Sequence, residues 1–121
     1  MTLDSNIVIY YLNGDPEVLI ALDRWKGAKV ELCVSSITVA EVLSQGTLTR
    51  EMEGVILKFL ESLTSVPFDD QVAHIAAMVR RVYGLKLPDA AIAATALSRD
   101  HRLATRDKTF HRVKELVIES V

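Results

Sequence analysis

Four acidic residues, Asp4, Glu41, Asp89 and Asp107, stand where an apolar, strand-like run gives way to a helix-like one. In an open parallel sheet the carboxyl ends of the strands converge on one edge, and ligands bind there. Acids at four such ends would meet in one pocket. Their like charges repel, since a pair at ~4 Å costs about 4 kcal/mol at an effective dielectric near 20. Such a pocket takes up protons or divalent cations, and an all-oxygen ligand set suits Mg²⁺ or Mn²⁺. The chemistry this points to is metal-dependent hydrolysis of a phosphodiester.

The elements that must position these acids follow from periodicity and punctuation. Residues 1–3 form a short strand, and the chain turns at Asp4-Ser5-Asn6 into the apolar segment 7–12. Asp15 followed by Pro16 is a helix start, and Gly27 closes that helix. Residues 29–34 alternate and carry β-branched side chains, which predicts a strand. A helix is expected from 35 to about 45, with Gly46 ending it. Thr49 caps another, in which Met52, Val55, Ile56, Phe59, Leu60 and Leu63 recur at helical spacing. Residues 65–68 make a brief strand at best, because Pro67 weakens pairing. Asp69 or Asp70 opens a helix to about Tyr83, stopped by Gly84. Pro88-Asp89 begins a small-residue helix over 90–98; a strand at 102–105, a helix at 108–114 and a strand at 116–118 complete the chain. Short strands alternating with helices imply one α/β domain over residues 1–121, a sandwich with a mostly parallel sheet flanked by helices.

Each acid alone also fits a duller role. Asp4, Asp89 and Asp107 each stand at a helix start and could be caps, and Glu41 follows Thr38 at capping-box spacing. Glu41 is the most informative of the four. It lies among Ala40, Val42 and Leu43, a turn or more inside its helix, so it faces the core or the strand edge. The Asp69-Asp70 pair comes too late for a receiver-type phosphoacceptor site. A haloacid-dehalogenase-like site needs a second Asp where Asn6 stands.

The bulk composition narrows the class. Half of the 121 residues are apolar, and the 16 acids nearly balance the 14 Lys and Arg, so no net field announces a polyanionic partner. The distribution is uneven. Within 78–114 there are nine basic residues and only three acids, a basic surround suited to a phosphate backbone. Cys33, the only cysteine, lies in an apolar run and reads as a small core residue. The N-terminus lacks the basic and apolar regions of a signal peptide, and no apolar stretch reaches the ~18 residues of a membrane span, so a cytoplasmic location is expected.

The order Asp4-Ser5-Asn6, Ser35-x-x-Thr38-x-x-Glu41, Asp89-x-x-Ile92-Ala93-Ala94 and Thr105-x-Asp107-x-x-Phe110 resembles the PIN-domain nucleases. Within them it is similar to the VapC-type toxins of toxin–antitoxin pairs, over nearly the whole chain. The resemblance implies a parallel sheet flanked by helices, Mg²⁺ or Mn²⁺ in the acidic cluster, RNA as substrate, a cognate antitoxin and a homodimer. It puts Asp4, Glu41, Asp89 and Asp107 on the family's catalytic and metal-binding quartet, Asn6 on a supporting amide and Thr105 on a hydroxyl near the metal. Asn6 and Thr105 fit a local turn or strand end equally well.

A metal-activated water attacking in line would leave a 5′-phosphate and a 3′-hydroxyl. A metal-free ribonuclease would instead use a histidine base, for which His74, His101 and His111 are available; His74 is expected to be packed beside its helix's apolar stripe. Arg106 and Lys108, flanking Asp107, are the favoured RNA contacts among Arg80, Arg81 and Arg99, with salt bridges to local acids the competing role. Tyr10 and Tyr11 suit a dimer or antitoxin surface. The rival readings are a non-catalytic PIN-like RNA-binding scaffold and a structure-specific DNA nuclease.

Overall fold

The shortness of the apolar runs sets the size of the strands. A computed structural model describes residues 1–121. Its strands are only two or three residues long: β1 (Thr2–Leu3), β2 (Cys33–Ser35), β3 (Thr64–Val66), β4 (Leu103–Ala104) and β5 (Ile118–Glu119). They form one sheet in the order β3-β2-β1-β4-β5, and every pairing is parallel. Thr2 lies beside Cys33 on one side and Leu103 on the other, so β1 is the central strand.

Side chains alternate across so short a sheet and supply two cores. Leu3, Val34 and Ala104 join a cluster with Ile7 and Val8 of α1 (Ser5–Leu12), Val18, Leu22 and Trp25 of α2 (Pro16–Gly27), and Ile56 and Phe59 of α4 (Arg50–Glu61). Leu103 joins a second cluster with Val72, Ala76 and Val79 of α5 (Asp70–Tyr83) and Ile92 of α6 (Leu87–Ser98). The layers are therefore helices, parallel sheet, helices. α3 (Ser36–Leu43) rises from the end of β2 and packs against α1, α4 and α6. No helix is long and apolar enough to cross a membrane.

α6 is the helix most enclosed by the rest. Ala90, Ala91, Ala93, Ala94, Thr95 and Ala96 are all fully buried, which only small side chains allow when a helix is pressed between a sheet and α5. Thr95 lies there without penalty because its hydroxyl donates to the Ala91 carbonyl at 2.8 Å. Phe110, also fully buried, anchors the 3₁₀ turn Lys108–Arg112; burying such a ring contributes about 1.5–3 kcal/mol.

Several boundaries differ from expectation, each for a local reason. The strand predicted from 29 begins only at Cys33, because Lys29 is left-handed (φ 60°) and the Val30 amide still bonds back to the Trp25 carbonyl. Ser35 ends that strand and caps α3, its hydroxyl accepting from the Ile37 amide. α6 starts at Leu87, earlier than the Pro88-Asp89 punctuation implied, since proline is tolerated within the first two helical positions. The helix expected over 108–114 is a 3₁₀ turn ending at Arg112, where Val113 becomes extended. The last strand begins at Ile118, because Leu116 is held in a turn on the Val113 carbonyl. His74 is exposed, not packed, because it falls on the outer face of α5.

Gly84 closes α5 in a left-handed conformation (φ 72°), its amide bonding the Arg80 carbonyl, and turns the chain into α6. A Cβ there would meet no neighbouring atom, so the penalty is purely conformational. Gly84→Ala is expected to lower stability by about 1–2 kcal/mol. Urea unfolding should show this as a lower midpoint with an unchanged slope.

Candidate active site

Strand order reverses beside β1: the chain builds outward to β2 and β3, then returns to place β4 on the other side. That switch point opens a crevice at the carboxyl ends of β1 and β4. Asp4 follows β1 directly, and Thr105 follows β4. Asp4 occupies the N-cap position of α1 but makes no capping bond with its side chain. Its carboxylate instead accepts the Thr105 hydroxyl at 2.8 Å, with both residues buried. The same Thr105 oxygen accepts the Asp107 amide at 2.9 Å, so one hydroxyl links two of the acids.

Asp107 does act as a cap, accepting the Thr109 amide at 2.9 Å with one oxygen. This leaves its second oxygen uncommitted. Asp89 stands in the first turn of α6 and is not its cap: the cap position is Lys86, and no donor within the protein bonds the Asp89 carboxylate. Asp89 and Asp107 line a common cleft of about 330 Å³ with Gly84, Leu85, Lys86, Thr109 and Arg112.

Glu41 reaches the site from α3. Its Oε1 accepts the Ser5 hydroxyl at 2.8 Å, and the Ser5 oxygen also lies 2.8 Å from the buried Thr38 hydroxyl. The cap of α3 is Ser35, so Thr38 and Glu41 do not form the capping box their spacing allowed. Ser5 and Thr38 stand in the motifs quoted from the sequence, which gave neither of them a role at the site; the structure shows them bonding each other, and Ser5 bonding Glu41.

The electrostatics tie the four acids together. Burial pushes the Asp4 carboxyl from its ordinary 3.8 to about 6; the Thr105 hydrogen bond opposes that rise, and the charges of Asp89 and Asp107 add to it. Asp89 is likewise raised, by burial first and then by Asp107 and Glu41, with Lys86 opposing. A donor set of carboxylates that repel one another is what a hard divalent cation neutralises, so the residues present fit Mg²⁺ or Mn²⁺. The four acids remain loosely gathered, since no three of their ligand oxygens all lie within 4.8 Å of one another.

Other expected residues lie differently. Asn6 is exposed in the first turn of α1 and hydrogen-bonds to none of the acids. Arg106 takes the salt-bridge role. Its guanidinium donates to Asp15 at 2.8 and 3.1 Å, to Glu17 at 3.4 Å and to the Val121 carbonyl at 3.0 Å, and it lies over the Tyr10 ring. Lys108 is exposed and forms no ion pair. Lys86 and Arg112, which sequence reasoning did not single out, are the cations that line the cleft.

The chain belongs to the PIN domain family, whose model matches residues 1–116. Among solved structures it is similar to a toxin–antitoxin complex from Klebsiella pneumoniae, with 29% identity, a TM-score of 0.84, and 99% of this chain and 98% of that chain covered. It is also similar to FitAcB from Neisseria gonorrhoeae, with 28% identity, a TM-score of 0.77 and coverage of 98% and 96%. VapBC2 from Rickettsia felis, bound to a DNA fragment from its promoter, shares the fold at 23% identity, with a TM-score of 0.85 and coverage of 98% and 96%. None of the curated proteins compared with the chain matches it. The family supports a nuclease-type activity, and the similar solved structures include a toxin–antitoxin complex.

The raised Asp4 carboxyl has a consequence for stability. Between about pH 4 and 6 the folded state binds a proton that the unfolded state has lost, so metal-free stability falls as pH rises through that window. A shift of about 2 units sets an upper limit of about 3 kcal/mol. Urea midpoints measured in EDTA should decline across this range, and Asp4→Asn should flatten the decline and be more stable than wild type at pH 7. An unchanged decline in the variant would remove Asp4 as its source.

Proposed function

We propose that the chain is a Mg²⁺- or Mn²⁺-dependent endoribonuclease, and that it acts as the toxin of a type II toxin–antitoxin pair. The observation that carries this reading is the buried Asp4 carboxylate at the end of the central strand, electrostatically coupled to Asp89 and Asp107, with Glu41 tethered beside it through Ser5. Asp4, Glu41, Asp89 and Asp107 hold the divalent ion. When bound, that ion neutralises charge on the phosphate and makes water acidic enough to supply the nucleophile at neutral pH.

The chain's own residues do the rest. The Thr105 hydroxyl fixes the rotation of the Asp4 carboxylate, and Ser5 orients Glu41. Lys86 and Arg112 on the cleft wall, with exposed Lys108 nearby in sequence, attract and seat the RNA phosphates. Attack by water leaves 5′-phosphate products, whereas attack by the RNA 2′-hydroxyl with a histidine base leaves cyclic phosphate ends. Arg106 then contributes by holding Asp15 and Val121 in place, not by touching RNA. A non-catalytic scaffold would leave the intact quartet less well explained.

The antitoxin part of the reading rests on the relatives and on one surface. A groove of about 310 Å³ between α1 and α4 is lined by Ile9, Leu12, Met52, Val55 and Ile56, with Met52 and Val55 exposed. An antitoxin helix presenting apolar side chains fits such a groove. Tyr11 of α1 stacks on Phe59 of α4 with ring centroids 4.1 Å apart, which ties together the two helices that border the groove. A homodimer, a cytoplasmic location and a single PIN domain over residues 1–121 complete the proposal.

The test is cleavage of total cellular RNA by purified chain with Mg²⁺, Mn²⁺ or EDTA. Cutting should require the divalent ion, leave 5′-phosphate ends, and fall at least about 100-fold in Asp4→Asn and Asp89→Asn, with Ser5→Ala reduced by about 10-fold. Activity surviving EDTA, or cyclic phosphate ends, would overturn it.

A further inference from the structure

The amino ends of the central strands, on the sheet edge opposite the acids, carry a different donor set. Glu31 precedes β2, Cys33 opens it, and His101 precedes β4; these two strands flank β1. A Glu31 carboxylate oxygen, the Cys33 Sγ and a His101 ring nitrogen all lie within 4.8 Å of one another. No other three His, Cys, Asp or Glu side chains in the protein gather so closely. Cys33 Sγ stands 3.4 Å from Glu31 Oε1. Two ligands on one tetrahedral Zn²⁺, at bond lengths of about 2.3 and 2.1 Å, stand about 3.6 Å apart.

Two cations, the Arg99 guanidinium and the Met1 ammonium, which bonds the Glu31 carbonyl at 3.0 Å, now stand beside this donor set. Thr2, fully buried, places its hydroxyl 3.1 Å from His101 Nδ1 and so restrains the ring. Cys33 is fully buried as a residue and has no disulfide partner. Arg99 now neutralises Glu31, its Nη2 3.2 Å from Oε1, and it is a half-exposed side chain with room to leave.

We propose that Glu31, Cys33 and His101 form a second metal site, which takes a thiol-seeking divalent ion such as Zn²⁺ that the all-oxygen pocket does not select. On loading, the Cys33 S–H bond breaks, its proton passes to water, and the thiolate bonds the ion; the ion replaces the Arg99 guanidinium as the partner of Glu31. Three protein ligands leave a fourth position to water. The ion then bridges β2 and β4 across β1, so it clamps the sheet from the end opposite the acids. None of this depends on the nuclease reading.

Cobalt(II) titrated into the reduced full-length chain reads the site directly. A thiolate-to-cobalt charge-transfer absorption with the visible bands of a tetrahedral ion is expected, and Zn²⁺ should abolish it by displacement. Cys33→Ser should lose the charge-transfer band. His101→Gln and Glu31→Gln should each weaken binding at least about tenfold. Asp4→Asn should keep the spectrum whole, because carboxylates alone cannot produce it. Absence of the band in folded wild type overturns the proposal, as does a band indifferent to both His101→Gln and Glu31→Gln.

Discussion

The fold rests on one unfavourable placement. A carboxylate is buried at the end of the central strand, within the field of other carboxylates, where water cannot solvate it well. Left unsupported, such a charge would open the structure or remain protonated. The surrounding elements answer that problem in turn. β4 brings a hydroxyl to Asp4, and the same hydroxyl fixes the loop that carries Asp107. α1 starts with a buried serine that bonds Glu41, while α6 delivers Asp89 from a helix packed too tightly to shift. The carboxylates are held by this scaffold within reach of one another's charge, so their repulsion persists in the folded chain.

The two sheet faces divide the labour. The cluster under α1, α2 and α4 is built of large side chains and includes a stacked Tyr11–Phe59 pair, which makes it a stable base with an apolar groove at its rim. The cluster under α5 and α6 is built largely of alanine and valine, which lets the backbone of α6 approach the strands closely. Close approach brings the first turn of α6 to the strand ends. The favourable field at a helix N-terminus then partly offsets the charge on Asp89.

The helix starts were legible in the sequence because Asp15, Thr49 and Asp69 cap as their chemistry demands, and the acids Asp4 and Asp107 were legible as residues that follow strand ends. What could not be read depends on partners distant along the chain. Ser5 and Glu41 lie 36 residues apart, and Arg106 and Asp15 lie 91 apart. No local pattern tells a free arginine from one held by four oxygens. Strand ends were misplaced by up to four residues because strands of two or three residues leave too little periodicity to fix a boundary. His74 showed the converse error: a stripe was visible, but which edge of it faced solvent was decided by α6.

The bond from Thr105 to Asp4 joins residues 101 positions apart, and the central strand pairs on one side only with residues beyond 100. A parallel sheet of this topology gains its decisive contacts late. Asp4 is synthesised about a hundred residues before β4, so its Thr105 partner and one neighbour of the central strand are absent until β4 has emerged.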